Sequence, residues 1–264
     1  MTVYLTALAV ILGMAIFTWL ASLRLNDVSF VDSLWSLFFL AAAVVLALAT
    51  EALSARALLV LALVAIWAVR LSLHITVRNW GDGEDYRYQA IRARYEPGFR
   101  FKSLYIVFGL QGLLAWIAAA PLLPAITGAQ GFGGLDVLAA GLWLVGFFFQ
   151  AVSDYQLQRF KSDPSNEGSV LDSGLWRYTR HPNYFGEFCM WWAIWLFAVA
   201  AGGWWTVFAP LLISFLLLRV SGVALLEKTI GDRRPKYTEY IARTNAFFPG
   251  PPRAAGEQRE VASS

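Results

Sequence analysis

Cysteine is almost absent. The 264 residues hold one, Cys189, inside an apolar run, so no intramolecular disulfide can form and the thiol reads as a small buried hydrophobe. Charge is scarce too: Asp, Glu, Lys and Arg make up 15% of the chain and the net charge is +3, which implies no nucleic-acid partner. Runs of residues with metal-ligand spacing are missing, and with them any metal site. There is no Gly-rich dinucleotide fingerprint and no P-loop, so a nucleotide would need a different cradle. No internal repeat is evident. The opening residues lack the basic start and small-residue cleavage site of a signal peptide, so residues 3 to 22 are expected to form a retained helix.

What is abundant is apolar surface. With 58% hydrophobic residues and a mean hydropathy of +0.54, the chain reads as an all-α, polytopic integral membrane protein rather than a soluble domain. Apolar segments near 3 to 22, 34 to 50, 53 to 73, 104 to 124, 134 to 153, 183 to 201 and 203 to 226 predict about seven transmembrane helices. The polar segments between alternate ones hold nearly all Lys and Arg, including Arg24, Arg78, Arg87, Arg92, Arg94, Arg100, Lys102, Arg159, Lys161, Arg177, Arg180, Lys228, Arg233, Arg234, Lys236 and Arg243. The opposite side offers Arg56 alone. The positive-inside rule therefore predicts an N-out, C-in topology, with the long loops and the tail on the cytoplasmic face of the cell (inner) membrane. Residues 1–250 are expected to form a single membrane-embedded domain. Residues 251–264, rich in Pro and small polar groups, form a tail that cannot bury enough surface to order itself.

One stretch concentrates chemistry. Gly174 to Glu187 packs Arg177, Arg180 and His181 with Trp176, Tyr178 and Tyr184 around Pro182, and Glu187 follows at the start of an apolar run. Pro suits a helix entrance, where free N–H groups and the positive end of the dipole favour anions. A cationic, aromatic membrane anchor is the other reading of the same residues.

Polar groups also recur at helical spacing within apolar segments, where ionisable side chains are costly and face the protein interior. Arg70, His74 and Arg78 are four apart; Gln150, Asp154, Gln158 and Lys161 share a face; Arg219 and Glu227 are eight apart. These stripes predict a polar cavity on the cytoplasmic side. Snorkelling accounts for Arg70, Arg78 and Lys161 equally well, and a structural ion pair for Glu187 or Asp154 with an arginine. His74 can equally be a hydrogen-bonded packing residue. A dense polar segment, Arg78 to Tyr88, follows the third helix and contains Glu84, Asp85 and Arg87. Asp32, opening the second helix, reads first as an N-cap. Many basic groups converging with Tyr and Trp suit a dinucleotide carrying an extra phosphate, since Arg binds phosphate bidentately and rings stack on rings. An apolar cavity above it would take a lipophilic partner from the bilayer, which points to hydride transfer onto a hydrophobic compound. Membrane lipids are the other expected contacts, and no obligate protein partner is inferred.

Three motifs carry a resemblance: RHPNYFGE at 180–187, the SDY of Ser153 to Tyr155, and PKYTEYIARTNAFFP at 235–249. The chain resembles the C-terminal half of the steroid 5-alpha-reductase superfamily. With VDSLW at 31–35, RLSLH at 70–74 and the GDGEDYRY segment added, it is similar to that superfamily's bacterial branch of uncharacterised proteins, over about residues 27 to 250. The resemblance implies a seven-helix membrane enzyme that binds NADPH on the cytoplasmic side and reduces a C=C bond conjugated to a carbonyl. By matching position it implies that Asp154, Asn183 and Glu187 hold the cofactor, with Lys161 in place of an arginine and Arg219, Tyr237 and Tyr240 as looser matches. Where the steroid enzymes place a tyrosine after the histidine of the third helix, this chain has Ile75 after His74.

The expected cofactor set is thus Asp154, Lys161, Arg177, Tyr178, Arg180, His181, Asn183, Tyr184, Glu187, Arg219, Glu227, Tyr237 and Tyr240. His74, Tyr88 and Asp32 are the candidates for polarising the substrate carbonyl. Two rival readings stand beside the reductase. One is an S-adenosylmethionine-dependent methyltransferase of the isoprenylcysteine or phospholipid type, which shares a His-Pro-x-Tyr-x-Gly entrance and a late Glu, here in RVSGVALLEK. The other is a non-enzymatic lipid-binding or transport protein. For the topology, a fluorescent protein fused to the C-terminal end is expected to light up inside cells, and alkaline phosphatase at the same point to be inactive; the reverse pattern would overturn the orientation.

Overall fold

The computed structural model describes residues 2–220 and 236–253; every regular element among them is a helix, and none is a strand. In chain order these are α1 (Thr2–Leu25), α2 (Phe30–Leu48), α3 (Ala55–Asn79), α4 (Tyr86–Tyr95), α5 (Phe99–Ala118), α6 (Leu122–Thr127), α7 (Gly134–Ser162), α8 (Pro182–Ala200), α9 (Trp204–Val220) and α10 (Lys236–Arg243). Both α5 and α9 contain a π-helical turn, at Leu104–Gly109 and Leu216–Val220. Among the described residues α1, α2, α3, α5 and α7 are long and apolar enough to cross a membrane. This is a helical membrane protein. The expected sixth segment forms α8, which opens on polar Asn183 and Glu187 and is not among those five, and the expected seventh is described only as the shorter α9. Glu227 and the residues from Ala254 onward lie outside the described residues.

Several boundaries differ from expectation for identifiable reasons. The segment expected at 104 to 124 ends at Ala118, because Pro121 and Pro124 cannot continue the hydrogen-bond ladder; Pro121 instead caps the short α6. α2 begins four residues early, at Phe30, with Ser29 in the cap position. Asp32 is therefore inside the first turn and is not the N-cap. α3 is capped by Ser54, whose side chain accepts from Ala57 N, and runs on to Asn79, which keeps Arg70, His74 and Arg78 on one helix.

The described chain forms two compact units, one made of the residues up to Asp136 with Ile194–Ala209, the other of Val137–Ala193 with the residues from Pro210 on. In the first, α2 is the inner helix: half of its most apolar window is buried against 22% for α1. It packs on α1, α3, α5 and α6. Phe38, Phe39, Ala42, Ala43 and Leu46 are fully buried, Phe39 meets the Trp67 ring edge-on at 5.7 Å, and Ser36 Oγ donates to Ala68 O at 2.8 Å.

The same unit holds a buried ion pair. Arg56 at the start of α3 donates to Asp136 from Nε (2.6 Å) and Nη2 (2.9 Å), and to the carbonyls of Gln130 (3.0 Å) and Gly131 (2.7 Å). Gly133 N completes the Asp136 carboxylate at 2.8 Å, and both side chains are 1% exposed or less. Arg56, the one basic residue that sequence assigned to the opposite side, is thus an interior clasp rather than a surface charge.

In the second unit α7 and α8 run antiparallel and touch backbone to backbone at two glycines. A Cβ on Gly146 would lie 2.6 Å from Gly186 O, and one on Gly186 would lie 2.4 Å from Gly146 O and 2.6 Å from Gln150 N. Only the missing side chains permit this approach, the small-residue packing typical of helices that have no hydrophobic force between them.

Removing one partner of a buried pair leaves an uncompensated charge. Arg56→Met is expected to lower stability in detergent by about 3–5 kcal/mol, measured by thermal or denaturant unfolding, and Arg56→Met with Asp136→Leu to recover much of the loss. A single variant as stable as the parent would refute the clasp.

Candidate functional site

The glycine crossing brings polar residues of α7 and α8 into register. One turn from Gly146, the Gln150 amide donates to Glu187 Oε2 at 2.5 Å; one turn further, Asn183 Nδ2 donates to Asp154 Oδ1 at 3.1 Å. The pairs 150 with 187 and 154 with 183 form two rungs of one antiparallel ladder. Trp191, one turn along α8, donates its indole N–H to Glu187 Oε1 at 2.9 Å. Gln150, Asp154 and Glu187 are all buried. Each Glu187 oxygen thus accepts a hydrogen bond, as a buried carboxylate requires. Gln150 Oε1 is buried with no hydrogen-bond partner among the described residues, so the rung presents an acceptor.

Leading into α8, Gly174–Arg177 makes a 3₁₀ turn on the end of α7: Trp176 Nε1 donates to Ser153 O at 3.1 Å and Leu175 N to Gln156 Oε1 at 3.1 Å. The C-terminal segment then straps this stretch. Arg180 donates to the carbonyls of Ile241 (3.1 Å) and Thr244 (2.7 Å), its own N–H reaches Asn245 O, Thr179 Oγ1 donates to Phe247 O at 2.8 Å, and Gly250 N returns to Tyr178 O. Tyr240 donates to Trp176 O at 2.5 Å, and Phe247 and Phe248 pack edge-on against Phe185 and Phe188. His181 stacks flat on Tyr184, with centroids 5.7 Å apart.

The first unit holds a second polar cluster. α4 is capped by Asp85, whose carboxylate accepts from Arg87 N and Nε, both at 2.9 Å. This turn sets Tyr88 against α2 and α5. Its hydroxyl donates to Asp32 Oδ1 at 2.5 Å and accepts from Gln111 Nε2 at 2.9 Å, while Arg87 Nη2 holds Asp32 Oδ2 at 2.9 Å. Burial, followed by the Asp32 charge, pushes the Tyr88 phenol far above its usual range. Burial works against the Arg87 charge, yet hydrogen bonding to Asp85 and the charge of Asp32 outweigh it and raise the guanidinium. Asp85 is pushed up by burial and pulled down further by Arg87, ending below the usual carboxylate range. Glu84 follows the same pattern: burial raises it, but Arg92 and the Val28 N–H, at 2.7 and 3.0 Å, lower it more.

The model of a family described as a protein of unknown function (DUF1295) matches residues 18–244. The chain belongs to this family. A Schizosaccharomyces pombe protein described as uncharacterised is 27% identical over 268 residues, covering 88% of this chain and 75% of its own. No solved structure matches.

Within this DUF1295 chain the sequence-derived residues separate clearly. Asp154, Asn183 and Glu187 come together on the ladder; Arg180, His181, Tyr184, Tyr237 and Tyr240 lie in the strap and its support, with Tyr237 and Tyr240 buried. Lys161, Arg177, Tyr178 and Arg219 are exposed. Tyr88 and Asp32 are joined to each other, and His74 is half-buried on α3. Sequence reading passed over Gln111 and Trp191, and gave Arg87 no role. Trp191 is four residues from Glu187, a spacing that signals contact on a helix. Gln111 is a polar residue in an apolar run, the signal that singled out the others. Its pairing with Tyr88, across 23 positions, has no local cue.

The lowered Glu84 predicts an acid-sensitive contact. A carboxylate whose folded pKa is depressed stabilises the fold above its ordinary value and loses that contribution as pH falls through the folded one. Val28 N–H protection from hydrogen exchange should therefore hold from neutral pH to about pH 4.5 and decline below it, with Glu84→Gln flattening the dependence. An acid-insensitive parent would count against the contact.

Proposed function

We propose that this DUF1295 protein is an integral-membrane reductase that uses NADPH to saturate a C=C bond conjugated to a carbonyl in a lipophilic substrate drawn from the bilayer. The observation that carries the reading is the buried Gln150–Glu187 and Asp154–Asn183 ladder, a costly polar array inside apolar helices with an acceptor left over at Gln150 Oε1. Gln150 and Trp191 donate to Glu187, and Asn183 donates to Asp154, so neutral groups of α7 and α8 line both carboxylates.

The donor set fits a dinucleotide. Gln150, Asp154, Asn183 and Glu187 would hold its polar groups, His181 and Tyr184 offer flat rings, and the exposed Lys161 and Arg177 supply positive charge for phosphates. Arg180, Tyr237 and Tyr240 would act by keeping the Gly174–Glu187 stretch in shape. NADPH, when bound, would supply the hydride for reduction of the conjugated bond. The chain's own task is to orient, exclude water and stabilise the enolate. Among His74, Tyr88 and Asp32, the reading favours the Tyr88 hydroxyl as hydrogen-bond donor to the carbonyl, its O–H turning to the substrate from Asp32 Oδ1, where it rests in the free protein. It replaces the tyrosine that Ile75 excludes after His74.

Membership in the steroid 5-alpha-reductase superfamily, seven spans, the N-out/C-in orientation and a cytoplasm-facing site in the cell membrane belong to the same proposal. They are supported by the motif resemblance and the one-sided basic loops.

Purified protein in detergent should be stabilised by NADPH, by about 2.7 kcal/mol at a hundredfold excess over Kd, and should consume it with trans-3-decen-2-one or a cyclic enone. Glu187→Gln and Asn183→Ala should weaken the stabilisation at least tenfold in ligand concentration. Stabilisation by S-adenosylmethionine alone would favour the methyltransferase, and no response to either cofactor would favour a lipid-binding protein.

A further inference from the structure

Gln111 owes its direction to an irregularity in α5. The π-helical turn Leu104–Gly109 accommodates one extra residue, which swings every later side chain about 100° round the axis relative to a continuous α-helix. Gly109 closes that turn, since a Cβ there would sit 3.0 Å from Leu104 O. The result is a lone amide in an apolar stretch aimed at the Tyr88 oxygen, 2.9 Å away. π-turns are uncommon and often mark functional sites. Here the departure from α-geometry ends in one contact to a titratable group.

The contact is directional. Tyr88 has one proton, shared with Asp32 Oδ1 at 2.5 Å, so its oxygen receives rather than gives at Gln111. We propose that Gln111 is a positioning residue acting through Tyr88: its amide N–H holds the phenolic oxygen and stabilises the negative charge that develops there as the proton leaves. In the reaction proposed above, on which this inference rests for its catalytic meaning, the Tyr88 O–H bond breaks as the substrate's enolate takes the proton. The electron pair stays on Oη, and water later returns a proton. Gln111 donates to that oxygen before and after transfer, so its amide does not have to reorient, while the Tyr88 O–H turns from Asp32 Oδ1 to the substrate before it breaks. The charged groups bearing on the phenol are Asp32 from α2, which opposes ionisation, and Arg87, which favours it with its guanidinium 5.7 Å from the ring centroid; Asp85 acts through Arg87.

The test uses the full-length protein in detergent with 3,5-difluorotyrosine at position 88, which ionises within a measurable range and is followed by ¹⁹F NMR. Gln111→Met keeps the side-chain length and removes the N–H donor. The fluorinated phenol is expected to titrate about one unit higher in Gln111→Met than in the parent, with thermal unfolding confirming that both are folded. An unchanged titration would overturn the proposal whatever the protein's activity. In the kinetic arm, Gln111→Met should lower kcat for NADPH-dependent reduction of trans-3-decen-2-one about 10- to 100-fold, raise its solvent deuterium isotope effect and leave KM for NADPH unchanged. The fluorinated tyrosine should restore part of the loss; an equal fall without rescue would mark a merely structural role. If the parent shows no turnover with any enone, the reductase reading fails, and the ¹⁹F titration still decides the role of Gln111.

Discussion

The second unit depends on the contact of Gly146 with Gly186. Where two helix backbones touch, the next residues along each are held at hydrogen-bonding rather than van der Waals range, so Gln150 reaches Glu187 and Asp154 reaches Asn183 without bending either helix. A larger residue at either glycine would drive into carbonyl oxygens and separate both rungs together. The stretch Gly174–Glu187 is then fixed at one end by α8 and at the other by Trp176 on Ser153, and the C-terminal strap finishes it through backbone carbonyls. The candidate cofactor groups are therefore products of helix spacing more than of loop conformation.

Charge is handled in this molecule by local compensation. Arg56 and Asp136 form a bidentate pair with their remaining donors on carbonyls, Asp32 is shared by Arg87 and Tyr88, and Glu84 is forked by Arg92. Such arrangements are what low-dielectric surroundings demand, because an unpaired buried charge costs several kcal/mol. Glu187 takes a donor from each helix of its pair, the Gln150 amide from α7 and the Trp191 indole from α8.

Much of the architecture was legible in the sequence because the lipid-facing runs are long and the residues that stop them are strong. Where reading failed, a competing local rule had been given too much weight. Asp32 at a helix start suggested a cap, but Ser29 holds that place and the carboxylate serves Tyr88. Sequence assigns Arg56 only to the side opposite the basic loops, since nothing nearby announces Asp136, which lies 80 positions away. Of the carbonyl candidates His74, Tyr88 and Asp32, the last two prove to be joined to each other. The cap at Asp85 turns Tyr88 inward.

By itself, the sequence determined that this is an all-helical membrane chain, which residues interrupt its apolar runs, and that RHPNYFGE opens a helix, because these follow from hydrophobic length, helical period and proline chemistry acting over a few residues. Only the tertiary structure decided the partners: Gln150 for Glu187, Asn183 for Asp154, Asp32 and Gln111 for Tyr88. Those pairings depend on how closely two backbones approach and on the rotation that a π-turn adds to α5, quantities set by packing between distant segments and carried by no local pattern.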